Sequence, residues 1–275
     1  FGIVEMGANH LNEIEFLANI AQPNFGYITN FGKAHLEGFG SIEGVIKGKS
    51  ELYDFLKSTN GKVFVNQNDK IQLKQSKGMD TIPFEKSLSF IEANPFVKLS
   101  YKKVEINTLL IGAYNYTNIA AAITIGNYLG INTVDIKNAI ENYTSTNNRS
   151  QIIKKENTKI LLDAYNANPS SMKVALENFE SLTDTPKILV LGDMFELGKT
   201  ALEEHEFIAE LTEKMNVKSI YLIGEIFIKT GTKKAFKYEC FDNFIKNTNL
   251  TTFKNSTVLI KGSRGMALER LLDYL

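Results

Sequence analysis

A single cysteine, Cys240, stands among 275 residues, which excludes an internal disulfide and fits a reducing compartment. Histidine is almost as scarce, three in all, so no larger histidine cluster supports a zinc site. Charge of one sign is missing too. Lys plus Arg (31) equals Asp plus Glu (31), which leaves no global field to draw nucleic acid or a membrane surface. No apolar run approaches the roughly 20 residues of a membrane helix, and no signal peptide, solenoid-length repeat or low-complexity tract is visible. These absences leave a soluble, cytoplasmic, globular protein without a nucleic-acid or membrane partner.

What is present is a chain long enough for two domains, 43% hydrophobic and 23% charged. Strands are expected near Gly2–Met6, Phe25–Thr29 and Lys62–Asn66. Helices are expected near Glu13–Ala21 and Ile42–Leu56, the second with Ser41 as N-cap and Glu43 in its first turn. Phe96–Lys102 and Val104–Leu109 suggest a hairpin or meander, followed by helices near Tyr116–Leu129 and Thr133–Glu141. The polar stretch Thr144–Gln151 reads as a linker. Beyond it, "KILLDAYNANP", "KILVLGD", "SIYLIG" and "TVLIKGS" are short continuous apolar strands, spaced by helical patterns. Such strands imply a parallel sheet covered on both faces.

In open parallel sheets ligands bind beyond the carboxyl ends of the strands. That rule draws attention to Glu5, Asn9, His10, Asn30 and His35 in the first half. In the second half it draws attention to Asp163, Asn166, Asn168, Gly192, Asp193, Glu196, Lys261, Ser263 and Arg264. Glu5 with His35 could hold a divalent cation; an N-cap acid and a hydrogen-bonded surface histidine would look the same. In "GVIKGKSEL", Lys47 and Lys49 point to different faces of one helix, so one of them is expected to turn inward unless both are solvated. Asn115 and Asn118, three apart at a helix start, place two amides on one side, able to read a ring edge or simply to cap the helix. Asp163 could accept hydrogen bonds from ribose hydroxyls, and Pro169 suits the first turn of the next helix. "KGSRGM" is a basic, Gly-flanked turn leading into a helix that could bind an anion.

The ordered series "VEMGANHLNEI", "NFGKAHLEGFGSIEGVIKGKSEL", "LIGAYNYTNIAAA", "LLDAYNANPSSM", "LGDMFELG" and "LIKGSRGMALE" resembles the Mur ligases of peptidoglycan synthesis over nearly the whole chain. Within that family it is most similar to the branch that joins D-alanyl-D-alanine to UDP-N-acetylmuramoyl-tripeptide. The resemblance implies an α/β chain with a P-loop-type Mur ligase central domain over 1–148, lacking its first part, and a Rossmann-like C-terminal Mur ligase domain over 149–275. It implies ATP and Mg²⁺ as cofactors, an acyl-phosphate intermediate and a monomer. Residue by residue it implies that Glu5, His35 and Lys49 serve the metal, Lys49 as a carbamate, with Lys49 and His35 the catalytic pair. Asn115 and Asn118 would lie on the adenine side, Arg149 near the phosphates and Asp163 near the ribose. Tyr165, Asn166, Asn168 and Arg264 would line the substrate side, and Asp193, Glu196, His205 and Lys261 would lie in or near the second domain's contribution. One departure stands out: the family's G-x-x-x-x-G-K-[ST] loop occurs nowhere in the 275 residues. A chain that opens on Phe1 inside an apolar run is therefore expected to be a fragment of a longer gene product, inactive alone. Another Mur-type or folylpolyglutamate-type amide ligase, and a non-catalytic binding module, are the competing readings.

Overall fold

Ser41 shows how closely the chain's local chemistry decides its elements. Its Oγ accepts from the Gly44 N–H at 3.1 Å and starts a 17-residue helix with Glu43 in the first turn and Lys57 in the last. That helix belongs to the first of two compact units in a computed structural model, which describes residues 1–33, 35–145, 148–184 and 186–275. The first unit comprises Phe1–Glu92, Lys98–Thr108 and Tyr114–Asn142; the second comprises Ala93–Val97, Leu109–Ala113 and Tyr143–Leu275. Thr146 and Asn147, inside the expected linker, lie outside the described residues.

The first unit runs α1 (Glu13–Ala21), β1 (Phe25–Tyr27), α2 (Leu36–Phe39), α3 (Ile42–Ser58), β2 (Lys62–Val65), α4 (Lys70–Gln75) and β3 (Asp80–Pro83). The strands form a parallel sheet in the order β1-β2-β3. Helix α3 buries Tyr53 and Leu56 against Ile28, Val63 and Val65. Its seat on β1 is close: a Cβ at Gly26 would lie 2.5 Å from Leu56 Cδ1, so the strand reads Phe-Gly-Tyr. Gln72, fully buried on α4, donates to Ile28 O (2.9 Å) and accepts from Asn66 N (2.8 Å), tying together the chain leaving β1 and β2.

A second, three-stranded sheet has the order β4 (Leu88–Ala93), β5 (Phe96–Tyr101), β6 (Val104–Ile111). Two-residue connections join consecutive strands, which only antiparallel pairing permits. Lys102 and Lys103 both have positive φ (49° and 65°), as a type I′ hairpin needs. Helices α5 (Asn115–Tyr128) and α6 (Thr133–Asn142) follow.

The strand expected over Gly2–Met6 is not formed. Phe1–Ala8 carry no regular structure, and Phe1 and Ile3 are 100% and 94% exposed. An apolar segment becomes a strand only when a neighbour accepts its ladder, and none pairs with it among the described residues.

The second unit contains β7 (Gln151–Lys155), β8 (Thr158–Asp163), α7 (Pro169–Ser181), β9 (Lys187–Gly192), α8 (Ala201–Lys214), β10 (Ser219–Ile223), β11 (Phe236–Tyr238), α9 (Phe241–Asn247) and β12 (Thr257–Lys261). Its sheet order is β11-β10-β9-β12-β8-β7, parallel except for the antiparallel edge strand β7. One alternating set of side chains, including Ile160, Leu162, Ile188, Val190, Val258 and Ile260, joins Phe244, Phe253 and Leu268 in one core. The opposite set, including Leu161, Leu189, Leu191 and Leu259, is buried as well, so the sheet is covered on both faces as its continuous apolar strands imply. The basic "KGSRGM" turn does not lead into an α-helix. It enters 3-10 turns at Arg264–Met266 and Leu268–Asp273, separated by Ala267 in a left-handed conformation (φ 48°) that interrupts helical propagation.

Candidate active site

In the first unit the chain leaving β1 carries Asn30 and His35 to the N-terminal part of α3. Phe39 wedges between α2 and α3: its carbonyl oxygen would lie 2.0 Å from a Cβ at Gly44, and its ring carbon Cε1 2.4 Å from one at Gly48. Only glycines admit this approach, so they set the position of the next residue, Lys49. Asn9 O would lie 2.1 Å from a Cβ at Gly38, bringing the turn after the Glu5 segment against the short helix that His35 opens. Glu51 caps α1 from α3, accepting from the N–H groups of Asn12 (2.7 Å) and Glu15 (3.1 Å).

Of the two lysines in "GVIKGKSEL", Lys47 is exposed and Lys49 is half-buried. Lys49 Nζ donates to Asn30 O at 2.8 Å and meets Asn30 Oδ1 at 3.5 Å. Burial pushes its pKa below the ordinary lysine value. Glu5 is exposed on the irregular segment, and His35, half-buried, takes a left-handed conformation (φ 52°) at the start of α2. Among the described residues no three His, Cys, Asp or Glu side chains gather as a metal-holding group. An ammonium beside a cation would repel it, so Lys49 does not fit a metal in its charged form, whereas a modified, anionic form would fit. A lysine whose burial disfavours the charged state offers the neutral amine that such a modification needs. Farther along this unit, Asn118 Nδ2 donates to Asn115 Oδ1 at 3.0 Å, so the two amides lie on one side as their spacing implies.

In the second unit Asp163 ends β8 and Lys261 ends β12, directly opposite in register. Lys261 Nζ donates to Asp163 Oδ2 at 2.5 Å and to Asn166 O at 3.2 Å. Asp163 Oδ1 accepts from Ser150 N at 3.2 Å. The Arg149 guanidinium stacks 4.1 Å from the centre of the Tyr165 ring. Thus Arg149, Asp163, Tyr165 and Lys261 form one constellation. Sequence reasoning singles out Lys261 at a strand end but not its pairing with Asp163, which joins residues 98 positions apart.

Other candidates have local duties. Asn168 is the N-cap of α7, its Oδ1 accepting from Ser171 N at 2.9 Å within a reciprocal capping box. Asn166 Oδ1 accepts from Ala167 N at 2.8 Å, and Arg264, largely exposed, donates to Glu269 at 2.9 Å. Asp193 is buried and accepts from Ile226 N and Phe227 N, both at 2.9 Å. His205 is fully buried; its Nε2 accepts from Met194 N (2.9 Å), so Nδ1 carries the proton and donates to Ala201 O (2.6 Å). Asp193 thus ties the loop after β9 to the turn after β10, and His205 ties the same loop to the start of α8. Glu196 is exposed on the same loop in a left-handed conformation (φ 62°).

Parallel sheets in both units, with polar side chains beyond strand ends, define an α/β protein of the kind whose ligand sites lie outside the carboxyl ends of its strands. Residues 1–126 match the Mur ligase middle domain, and residues 148–264 match the Mur ligase, glutamate ligase domain. The chain belongs to the Mur ligase family. It is 31% identical to the UDP-N-acetylmuramoyl-tripeptide–D-alanyl-D-alanine ligase of Buchnera aphidicola over 100% of its own length and 64% of that protein. It is 30% identical to the same-named ligase of Bacillus subtilis, over 99% of its own length and 64% of that protein. A crystal structure of MurF from Acinetobacter baumannii superposes with a TM-score of 0.85 at 27% identity, covering 98% of this chain and 63% of that one. The chain thus spans somewhat less than two thirds of these relatives.

Proposed function

We propose that the complete gene product is a cytoplasmic, ATP-dependent amide ligase that joins D-alanyl-D-alanine to UDP-N-acetylmuramoyl-tripeptide. The observation that carries this reading is the match, along the whole chain, to curated relatives named for that reaction. Residues 1–148 would form the ATP-handling part and residues 149–275 the C-terminal ligase part. The tripeptide's terminal carboxylate takes the γ-phosphoryl group, its oxygen bonding phosphorus as the bond to ADP breaks. The dipeptide amine then attacks the acyl carbon, phosphate leaves and the amine gives up its proton. Bringing two anions together demands positive charge at the reacting oxygens, and magnesium, when bound, supplies it.

Glu5, His35 and a carbamylated Lys49 are the proposed metal-side residues. The half-buried, desolvated Lys49 amine supports that assignment. Asn115 and Asn118 are proposed for the adenine edge, Arg149 for the phosphates and Asp163 for the ribose. Tyr165, Asn166 and Arg264 are proposed for the substrate side. Asn168 is proposed there also, with its cap retained.

The test is phosphate release by the complete gene product. Release that requires ATP, D-alanyl-D-alanine and the UDP-linked tripeptide together, and falls about 100-fold or more in Lys49→Ala, supports the reading. Equal release with a single amino acid such as glutamate points to another amide ligase. No release with any amine points to a binding module.

A further inference from the structure

Lys261 is 2% exposed at the end of a strand whose other residues are all buried. A buried ammonium is tolerated only when its donors are satisfied by charge or carbonyl groups. Here two of them go to the end of β8 and the turn that follows it, to Asp163 Oδ2 and Asn166 O. That stretch in turn holds the segment Asn148–Ser150 by three ties. Asp163 Oδ1 accepts from Ser150 N (3.2 Å), Tyr165 N donates to Asn148 O (3.2 Å), and Arg149 stacks on the Tyr165 ring at 4.1 Å. Asn148 and Ser150 both have positive φ, 56° and 50°, a conformation that costs energy for side-chain-bearing residues and persists where surroundings enforce it. All of these residues lie in the second unit.

We propose that Lys261 is a positioning residue that orients the Asp163 carboxylate and, through it, moors the strap carrying Arg149. With Oδ2 held by the ammonium and Oδ1 directed to Ser150, the carboxylate is fixed before any ligand arrives. Its remaining lone pairs are set to accept from a ribose, while the guanidinium is set nearby for phosphate. The ribose and phosphate parts of this inference rest on the nucleotide reading proposed above; the mooring itself does not.

The experiment compares equilibrium binding of ATP and 2′,3′-dideoxy-ATP to the complete gene product, with amide hydrogen exchange at Ser150 and at Tyr221, which is not paired with β12, as an internal reference. Wild type is expected to prefer ATP by about tenfold, the scale of a hydrogen bond to a charged group. Lys261→Met is expected to bring that preference to within about twofold and to speed Ser150 exchange at least about tenfold, leaving Tyr221 in β10 unchanged. If Lys261→Met does not fold, Lys261→Gln, which keeps a neutral donor, is expected to give intermediate values of both. A retained ATP preference with slow Ser150 exchange overturns the proposal. So does an equal loss of both nucleotides with faster exchange at Tyr221, because that is loss of fold and not of position. Failure of wild type to bind ATP overturns the nucleotide reading, and Ser150 exchange then decides the mooring by itself.

Discussion

Lys49 sits where stability and its proposed function pull in opposite directions. Its folded-state pKa lies below the unfolded value of 10.5 because burial penalises the charge. The unfolded chain therefore binds more protons in the window between those two values. The penalty is complete below the lowered pKa and is relieved as pH rises towards 10.5. Lys49→Met is expected to stabilise the protein by about 1 kcal/mol at pH 7 while abolishing phosphate release. Urea unfolding at pH 7 and pH 10 should show that advantage shrinking at the higher pH; an advantage that grows would contradict the desolvation account. Gly224 is the opposite kind of residue, with no chemistry and no tolerance. Its φ is 140°, and a Cβ there would lie 2.1 Å from Asp193 Cγ, the buried carboxylate that caps the next turn. Gly224→Ala is expected to cost about 3 kcal/mol or more by urea unfolding, since it combines backbone strain with displacement of a buried charge.

Elements with local signals are legible in the sequence alone. Helix α1 starts and ends where periodicity places it, at Glu13 and Ala21, and α3 extends only from the expected Leu56 to Ser58. Continuous apolar runs reveal β8, β9, β10 and β12. Several of the unread elements are short or polar. Strand β3 is Asp-Thr-Ile-Pro, β7 is Gln-Ile-Ile-Lys-Lys at a sheet edge, β11 has three residues, and α4 has six residues behind an Asp69 cap. Their stability comes from neighbours, which no local pattern announces. Helix α7 offers an element-scale test. Asn168→Ala, which removes the side-chain half of the capping box, is expected to cost about 1 kcal/mol, whereas Asn168→Asp should preserve stability because aspartate caps as well. If Asn168→Asp retains stability but loses phosphate release, the amide also serves substrate; unchanged release would confine it to capping.

At the scale of the whole molecule, the two units have separate cores, one around Tyr53 and Leu56, the other around Val190, Phe244 and Ile260. Calorimetry is expected to resolve two transitions, with Leu56→Ala lowering one and Phe244→Ala the other, each variant costing about 3 kcal/mol in its own unit. A single transition shifted equally by both would refute independent cores. Candidate residues can be named from sequence because polar groups closing apolar strands are conspicuous. Their pairing cannot: Lys261 and Asp163 are 98 positions apart, and only the insertion of β12 between β8 and β9 makes them neighbours. The chain's route between the units has a practical result for anyone dissecting it. Ala93–Val97 and Leu109–Ala113 group with the second unit although the residues after each group with the first. A clone beginning at Tyr143 would therefore omit both outlying pieces, and no single cut in the gene releases the second unit whole.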